Sequence, residues 1–394
     1  MSSQIFTYAI LGAGCQGTAA AYDLARFGDA KRIVVADMDG EIAAAAARRI
    51  NKLVGADIAT AVQLDVSDHN ALRQTLTGVD VALSAVPYFF NLNITKACLE
   101  TGTSICDMGG HTGIVREQLA LDAEAKAAGV SIVPDCGMGP GLNVTMAAYA
   151  MELLDEPREI HIYDGGLPQN PKPPWNYQAT FHINGLTNEM DGQAYFIRGG
   201  EVVPVDTLTE PEIIEIAPLG KLEADITSGG LSTSPWTFEG QLEVYENKTL
   251  RYLGHFEWLR AFKALGLFSE EPLAVGEQNI IPRQVYHTLL EPHISAAEIR
   301  DICVIRVIGT GVKDGQETTV TIELVDRYDE NTGFTAMERL TGWHCAIMMG
   351  FQARGVVPAG GVSMEIAVPA GQFMEAVRKR GIEFEVEWVL GVRG

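Results

Sequence analysis

The sequence predicts an α/β protein: a doubly wound parallel sheet over residues 1–155, then a second domain of α+β type. Three observations carry this. The apolar run Ala9-Ile10-Leu11 ends in Gly12-x-Gly14-x-x-Gly17 and passes into an Ala-rich helical stretch. A second apolar run, 32–36, ends in Asp37, 20 positions beyond Gly17. Strand-like and helix-like runs alternate from residue 5 to about 155, the pattern of parallel strands with crossover helices, and then the alternation stops.

The first element is strand, tight turn and helix. Gly12 permits the turn, Gly14 lets backbone approach a pyrophosphate with no Cβ in the way, and Gly17 lets the helix pack close to its strand. The helix N-terminus presents free N–H groups and a partial positive charge to the anion. Cys15 and Gln16 lie inside this turn, and Asp37 stands where an acid would hold the ribose of a dinucleotide. Together these predict a Rossmann-type nucleotide domain. Asp37 also selects the cofactor. A 2′-phosphate about 4 Å from its carboxylate would cost roughly 1–4 kcal/mol at effective dielectrics of about 80 to 20. The following residues, Met38, Asp39 and Gly40, include no Arg to accept that phosphate. The expected cofactor is NAD.

Strands are expected near 5–11, 32–37, 58–64, 80–86, 103–108 and 130–135, and helices near 15–27, 40–52, 68–77, 90–101 and 114–128. Six strands in this pattern match the order 3-2-1-4-5-6. Asp65, after the third strand, and Ala85, Val86 and Pro87, after the fourth, join the expected cofactor residues. From 156 to 340 the strand-like runs 160–163, 178–183, 213–216, 303–310 and 318–325 are separated by Gly/Pro-rich loops, which indicates a mainly antiparallel sheet. Helices are expected near 256–265 and 274–290. A C-terminal region, 341–394, reads as helices returning to the nucleotide domain.

The totals bound the function. With 47% hydrophobic and 20% charged residues the chain is globular. A net charge of −22 argues against nucleic acid or an anionic membrane as partner. It suits a cationic substrate, and equally suits plain solubility. The six cysteines show no CxxC and no metal-ligand spacing, so no metal is expected, and with no basic leader the chain reads as cytoplasmic.

In an open α/β sheet ligands bind beyond the carboxyl ends of the strands. There the fourth strand delivers Ser84-Ala-Val-Pro-Tyr88, the fifth Asp107-Met-Gly-Gly-His111 and the sixth Pro134-Asp-Cys136-Gly. Singly, Asp107 and Asp135 serve as well for turn caps, Cys136 for a core residue and His111 for a surface loop residue. Collectively they place Tyr, Asp, His and Cys where a nicotinamide ring would lie.

These segments carry a resemblance. SAVPY (84–88), DMGGH (107–111) and PDCGMGPGLN (134–143) resemble the saccharopine dehydrogenase family. GGLPQ (165–169), 173–177, TSGGLSTSPWTFEG (227–240) and LRYLGH (250–255) resemble its lysine 6-dehydrogenase branch. The resemblance implies a Rossmann domain, a catalytic domain that also forms a homodimer, and NAD-dependent oxidative deamination of L-lysine at the ε-carbon. It implies catalytic roles for Tyr88, Asp107 and Cys136. It gives Arg251 the substrate carboxylate and leaves the role of His255 open; carboxylate chemistry alone, which wants a bidentate guanidinium, puts Arg198 in reserve. Independently of the family, a primary ammonium with pKa near 10.4 must lose a proton before its carbon can lose a hydride. Asp107, His111, Cys136 and His255 are the candidate bases, with His111 and His255 also expected to touch substrate. Saccharopine dehydrogenase and carboxynorspermidine dehydrogenase share nearly every motif, and an NAD-sensing regulatory protein would keep the glycine turn with an idle catalytic edge.

Overall fold

The computed structural model describes residues 5–296 and 298–391. The chain forms two compact units. The first takes the described residues through Glu152, Ser232–Thr237 and Asp329–Glu383. The second takes Leu153–Leu231, Phe238–Tyr328 and the described residues from Phe384.

In the first unit the order is β1 (Phe6–Leu11), α1 (Cys15–Phe27), β2 (Ala30–Asp37), α2 (Gly40–Val54), β3 (Ala59–Gln63), α3 (His69–Leu76), β4 (Val81–Ser84), α4 (Asn91–Thr101), β5 (Ser104–Asp107), α5 (Thr112–Leu119), α6 (Asp122–Ala128), β6 (Ser131–Val133) and α7 (Asn143–Leu153). The six strands are parallel in the order 6-5-4-1-2-3, with β1 central between β2 and β4. That is the predicted topology. Ala9, Leu11, Val34, Ile94, Ile105 and Ile132 lie in one of its cores, fully buried or nearly so.

The single helix expected over 114–128 is two, because the chain turns at Ala120–Leu121 and places Leu121 against the core. The strand expected over 178–183 does not form. That stretch is irregular and leads into a helix at Ile183, capped by the His182 ring, which accepts the Asn184 N–H.

The second unit contains β7 (Glu156–Pro168), α8 (Ile183–Glu189), β8 (Gln193–Arg198), β9 (Glu201–Asp206), β10 (Glu212–Ile216) and β11 (Gly220–Ile226). After α9 (Ser234–Phe238) follow β12 (Val244–Tyr252), α10 (His255–Ala264), β13 (Leu273–Val275), β14 (Gln278–Ile280), α11 (Pro282–Ile294), β15 (Asp301–Lys313) and β16 (Gln316–Arg327). Its sheet runs β10-β11-β12-β7-β15-β16 and is antiparallel except for the β12–β7 pair. The helix expected over 274–290 begins only at Pro282. Before it, Gly276 (φ +62°) turns a two-stranded hairpin of β13 and β14, and Pro282 occupies the first turn of α11, where a missing N–H costs nothing.

The remaining chain supplies α12 (Ala336–Ala353), β17 (Gly360–Gly361), α13 (Met364–Ala367), α14 (Ala370–Arg378) and β18 (Phe384–Leu390). The first four belong to the first unit, so the junction falls at Tyr328–Asp329, not at 340. A capping box of Thr335 and Glu338 starts α12. Gly342 brings its backbone onto α1: a Cβ there would stand 2.7 Å from the Gln16 carbonyl oxygen. The last stretch is a strand and not a helix. Phe384–Leu390 pairs antiparallel with β16 in the second unit's sheet, matching Val386 to Ile322.

Beyond α14, Arg380 ties this segment to α1. Its guanidinium donates three bonds of 2.8–2.9 Å to Asp23, whose carboxylate is fully buried. Removing one member of a buried pair leaves an uncompensated charge, so Arg380→Ala should destabilise by about 3–5 kcal/mol in denaturant unfolding. Replacing both residues with apolar side chains should recover most of that loss.

Candidate functional site

The glycine turn has the geometry a pyrophosphate needs. Gly12 sits at φ +108°, and a Cβ on it would lie 2.4 Å from the Ala85 carbonyl oxygen. A Cβ on Gly17 would lie 2.0 Å from the Gly12 carbonyl oxygen. Gly14, the residue before α1, is different: no atom lies within 4 Å of where its Cβ would stand. Packing demands the first and third glycines. Only the second leaves open space, beside the free N–H groups of a 13-residue helix. A dinucleotide phosphate fits that cradle, and a side chain at 14 would fill it.

Asp37 ends β2 with its carboxylate tied to the same turn. Oδ2 accepts the Ala13 N–H at 2.9 Å and Oδ1 the Asp39 N–H at 3.0 Å. Ala85 donates its N–H to Leu11 O at 2.7 Å, which seats the 85–87 loop against β1. Cys15 is exposed and its thiol lies against Glu338; burial first and that neighbour second raise its pKa. Gln16 is half-buried, with Oε1 lacking a partner. Asp65 is exposed and holds a tight turn, accepting the Ser67 N–H and hydroxyl, which lower its pKa.

The edge beyond β5 and β6 is built around two aspartates. Asp107 is 1% exposed. Its Oδ1 accepts the N–H groups of Gly109 (2.8 Å) and Asp135 (3.1 Å), and its Oδ2 accepts Gln118 Nε2 at 2.7 Å. Burial raises this carboxyl and those donors pull it back. With its oxygens so engaged, Asp107 is a positioning residue: it fixes the loop that carries Asp135.

Asp135 itself is 4% exposed and adopts φ +65°, a conformation that non-glycine residues rarely hold outside constrained sites. Its carboxylate accepts the Gly110 N–H at 3.3 Å and the Ser232 hydroxyl. Burial raises its pKa to about 7, with the nearby charges of Asp107 and Glu365 adding to the rise and the Ser232 hydroxyl opposing it. A Cβ on Gly109 would come 1.3 Å from Asp135 Oδ1, so only glycine is tolerated there. Glu365 is also buried and accepts the hydroxyls of Thr233 (3.1 Å) and Thr237 (2.5 Å).

Tyr88 and His111 come together, their rings stacked at 5.6 Å and 16°. His111 caps α5 through Nδ1, which accepts the Ile114 N–H at 3.4 Å. Cys136 does not join them. Its side chain is fully buried beside the thiols of Cys106 and Cys345, and Cys345 Sγ donates to the Cys136 carbonyl at 3.1 Å. Burial pushes the Cys136 thiol up to about 11. It is therefore a buried thiol that is neutral at neutral pH. The hydrogen bonds of Asp107 go to loop N–H groups and Gln118, so the expected Tyr88–Asp107–Cys136 polar network is not formed as such. Asp135, which could serve as a turn cap, is instead a buried carboxyl bound by the Gly110 N–H and the Ser232 hydroxyl.

In the second unit Arg251, on β12, is 4% exposed. Its guanidinium donates to its neighbour's carbonyl, Leu250 O, at 3.0 Å and reaches Glu189 Oε2 at a loose 3.4 Å, while Nε has no partner. It lies over the Tyr177 ring at 5.3 Å. His255, at the start of α10, is 1% exposed and packs on Tyr177 (4.9 Å) and Trp258 (4.5 Å). Burial, with Arg251 adding to it, holds its pKa well below the ordinary value, so the ring is neutral. Arg198 is not available to a ligand in this arrangement: it pairs bidentately with Glu210. Among the described residues no three His, Cys, Asp or Glu gather as a metal site, and no helix is long and apolar enough to cross a membrane.

A parallel sheet in this order, a glycine turn opening onto helix N–H groups and a buried carboxyl edge beyond β5 and β6 define a nicotinamide-dependent oxidoreductase. The comparisons narrow the class. Residues 8–133 match the saccharopine dehydrogenase NADP binding domain and residues 137–382 the saccharopine dehydrogenase C-terminal domain, and the chain belongs to the saccharopine dehydrogenase family. The Schizosaccharomyces pombe saccharopine dehydrogenase (NADP(+), L-glutamate-forming) is 23% identical over 407 residues, covering 83% of this chain and 88% of that one. The Saccharomyces cerevisiae enzyme of the same name is 24% identical over 223 residues, which is 54% of this chain and about half, 49%, of that one. Carboxynorspermidine synthase of Vibrio cholerae is 26% identical over 277 residues, 66% of each chain. In fold, apo saccharopine dehydrogenase from Saccharomyces cerevisiae superposes with a TM-score of 0.78 at 20% identity, covering 98% of this chain and all of that one.

Proposed function

We propose that the chain catalyses NAD-dependent oxidative deamination of L-lysine at its ε-carbon. L-Lysine, NAD and water give 2-aminoadipate 6-semialdehyde, which cyclises, together with ammonium, NADH and a proton. The observation that carries this reading is Arg251: a buried guanidinium, loosely paired and with Nε free, suited to one substrate carboxylate. Saccharopine carries three carboxylates and would require further buried cations. The lysine 6-dehydrogenase-like segments 165–169, 227–240 and 250–255 support the same choice. Turnover of L-lysine, saccharopine and carboxynorspermidine in parallel tests it; a preference for either of the last two replaces it.

A bound nicotinamide supplies the hydride acceptor. The residues of the chain handle the rest. Asp135, ionised as pH rises through about 7, takes the proton from the substrate ammonium and, once the carbon is oxidised, helps water add to the imine. Its hydrogen bond to Ser232 aims the carboxylate. Asp107 fixes the loop, and Tyr88, backed by His111, offers a phenol beside the 85–87 loop.

NAD is the proposed cofactor because both Asp37 oxygens are already anchored to backbone N–H groups, which holds the negative charge at the ribose position. The names of the yeast relatives specify NADP(+), so the test is direct. Titration should show NAD bound about 10-fold or more tighter than NADP, and Asp37→Ala should narrow the gap mainly by weakening NAD. Equal constants for the two cofactors in the unaltered protein would contradict the assignment.

A further inference from the structure

Around Arg251 the second unit gathers buried polar atoms without a hydrogen-bond partner, Arg251 Nε, Tyr177 OH and Trp258 Nε1, beside the His255 ring, which meets the Trp175 backbone. Arg251, Tyr177 and His255 are each at most 4% exposed. Buried polar groups are nearly always hydrogen-bonded, so several orphans in one place, on rings 4.5–5.3 Å apart, mark a site whose partner comes from outside the chain. A carboxylate at its side is Glu189, the last residue of α8, partly exposed and 3.4 Å from Arg251, while the Glu223 carboxylate is taken up by the N–H groups of Gly254 and Phe256.

We propose that Glu189 recognises the α-ammonium group of an α-amino acid whose α-carboxylate is held by Arg251. Charge decides between ligand classes. Arg251 faces Glu189, where the charge of Asp164 is also felt, so a lone anion meets carboxylates and a lone cation meets the guanidinium, each as a like charge. A zwitterion exchanges partners with both: its carboxylate replaces Glu189 on the guanidinium, and its ammonium takes the carboxylate so released. The ion pair is long enough to open. Desolvation and the charge of Asp164 raise the Glu189 carboxyl against the pull of Arg251, and an incoming ammonium would favour its charged form. The Tyr177 and Trp258 rings add faces that attract the cation, and the neutral His255 offers one donor and one acceptor. Glu189 is then a specificity residue. The inference rests on the proposed function only for its choice of L-lysine.

Calorimetric titration of the full chain without cofactor, using L-lysine, 6-aminohexanoate (no α-ammonium) and cadaverine (no carboxylate), tests it apart from turnover. The unaltered protein should bind L-lysine about 30-fold or more tighter than 6-aminohexanoate. In Glu189→Gln that ratio should fall to within about threefold, and Glu189→Asp should restore part of it. An unaltered ratio in Glu189→Gln overturns the proposal. Should that variant not fold, equal binding of L-lysine and 6-aminohexanoate by the unaltered protein overturns it equally. Binding of L-lysine that depends on Glu189 but gives no oxidation would sink the deamination reading and leave this one standing.

Discussion

Asp135→Asn should lower kcat by about 10²- to 10⁴-fold, the range for removing a positioned proton-transfer group. The pH profile should separate this from a structural effect. In the unaltered enzyme the base must be ionised, so activity should be lost as pH falls through about 7, where burial has placed Asp135. In Asp135→Asn that inflection should be absent. Ser232→Ala removes the hydroxyl that lowers the Asp135 pKa, and should move the inflection upward. Stability should run the other way. A carboxyl raised from 3.8 to about 7 favours the folded state while protonated and loses that advantage as pH rises between the two values. Above pH about 7, then, the Asn variant should melt no lower than the unaltered protein. Retention of the inflection in Asp135→Asn would move the base to another residue.

Arg251→Ala should cost about 2–5 kcal/mol of transition-state binding for L-lysine, which is roughly 30- to several-thousand-fold in kcat/KM. Cadaverine has the same amine and carbon chain but no carboxylate. The unaltered enzyme should use it poorly by a similar margin, and the Arg251 change should leave that poor rate nearly as it was. Equal slowing of both amines would make Arg251 structural.

What was legible in the sequence was what is local. Gly12, Gly14, Gly17 and Asp37 specify their turn within 26 residues, and the structure shows why each is needed: two by contact, one by open space, one by the N–H groups it accepts. The order of the first six strands follows from their alternation with helices together with the glycine turn, whereas the seventh, at 360–361 beside β6, comes from distant sequence. Asp135, the proposed base, carries no such local signal. The features that distinguish Asp135 are a backbone at φ +65° and a hydroxyl 97 positions away, and neither has a sequence signature. Cys136 could be read as a core residue or as part of the chemistry; its contact with Cys345, on a helix 209 residues later, has no local signature. Glu189 lies 62 positions from Arg251 in a stretch with no motif. The final strand is legible in its period, since FEVEWVL opens with the two-residue alternation of a strand.

The central claim is that L-lysine alone is oxidised and that the nitrogen leaves as ammonium. The most direct measurement is NADH absorbance and free ammonium recorded together, with purified chain, NAD and L-lysine and with no oxoacid present. The account predicts that both appear, in equal amounts. If NADH appears only with saccharopine, or if the chain oxidises NADH when L-lysine and 2-oxoglutarate are supplied and does nothing with L-lysine and NAD, the account is contradicted and the saccharopine reaction takes its place.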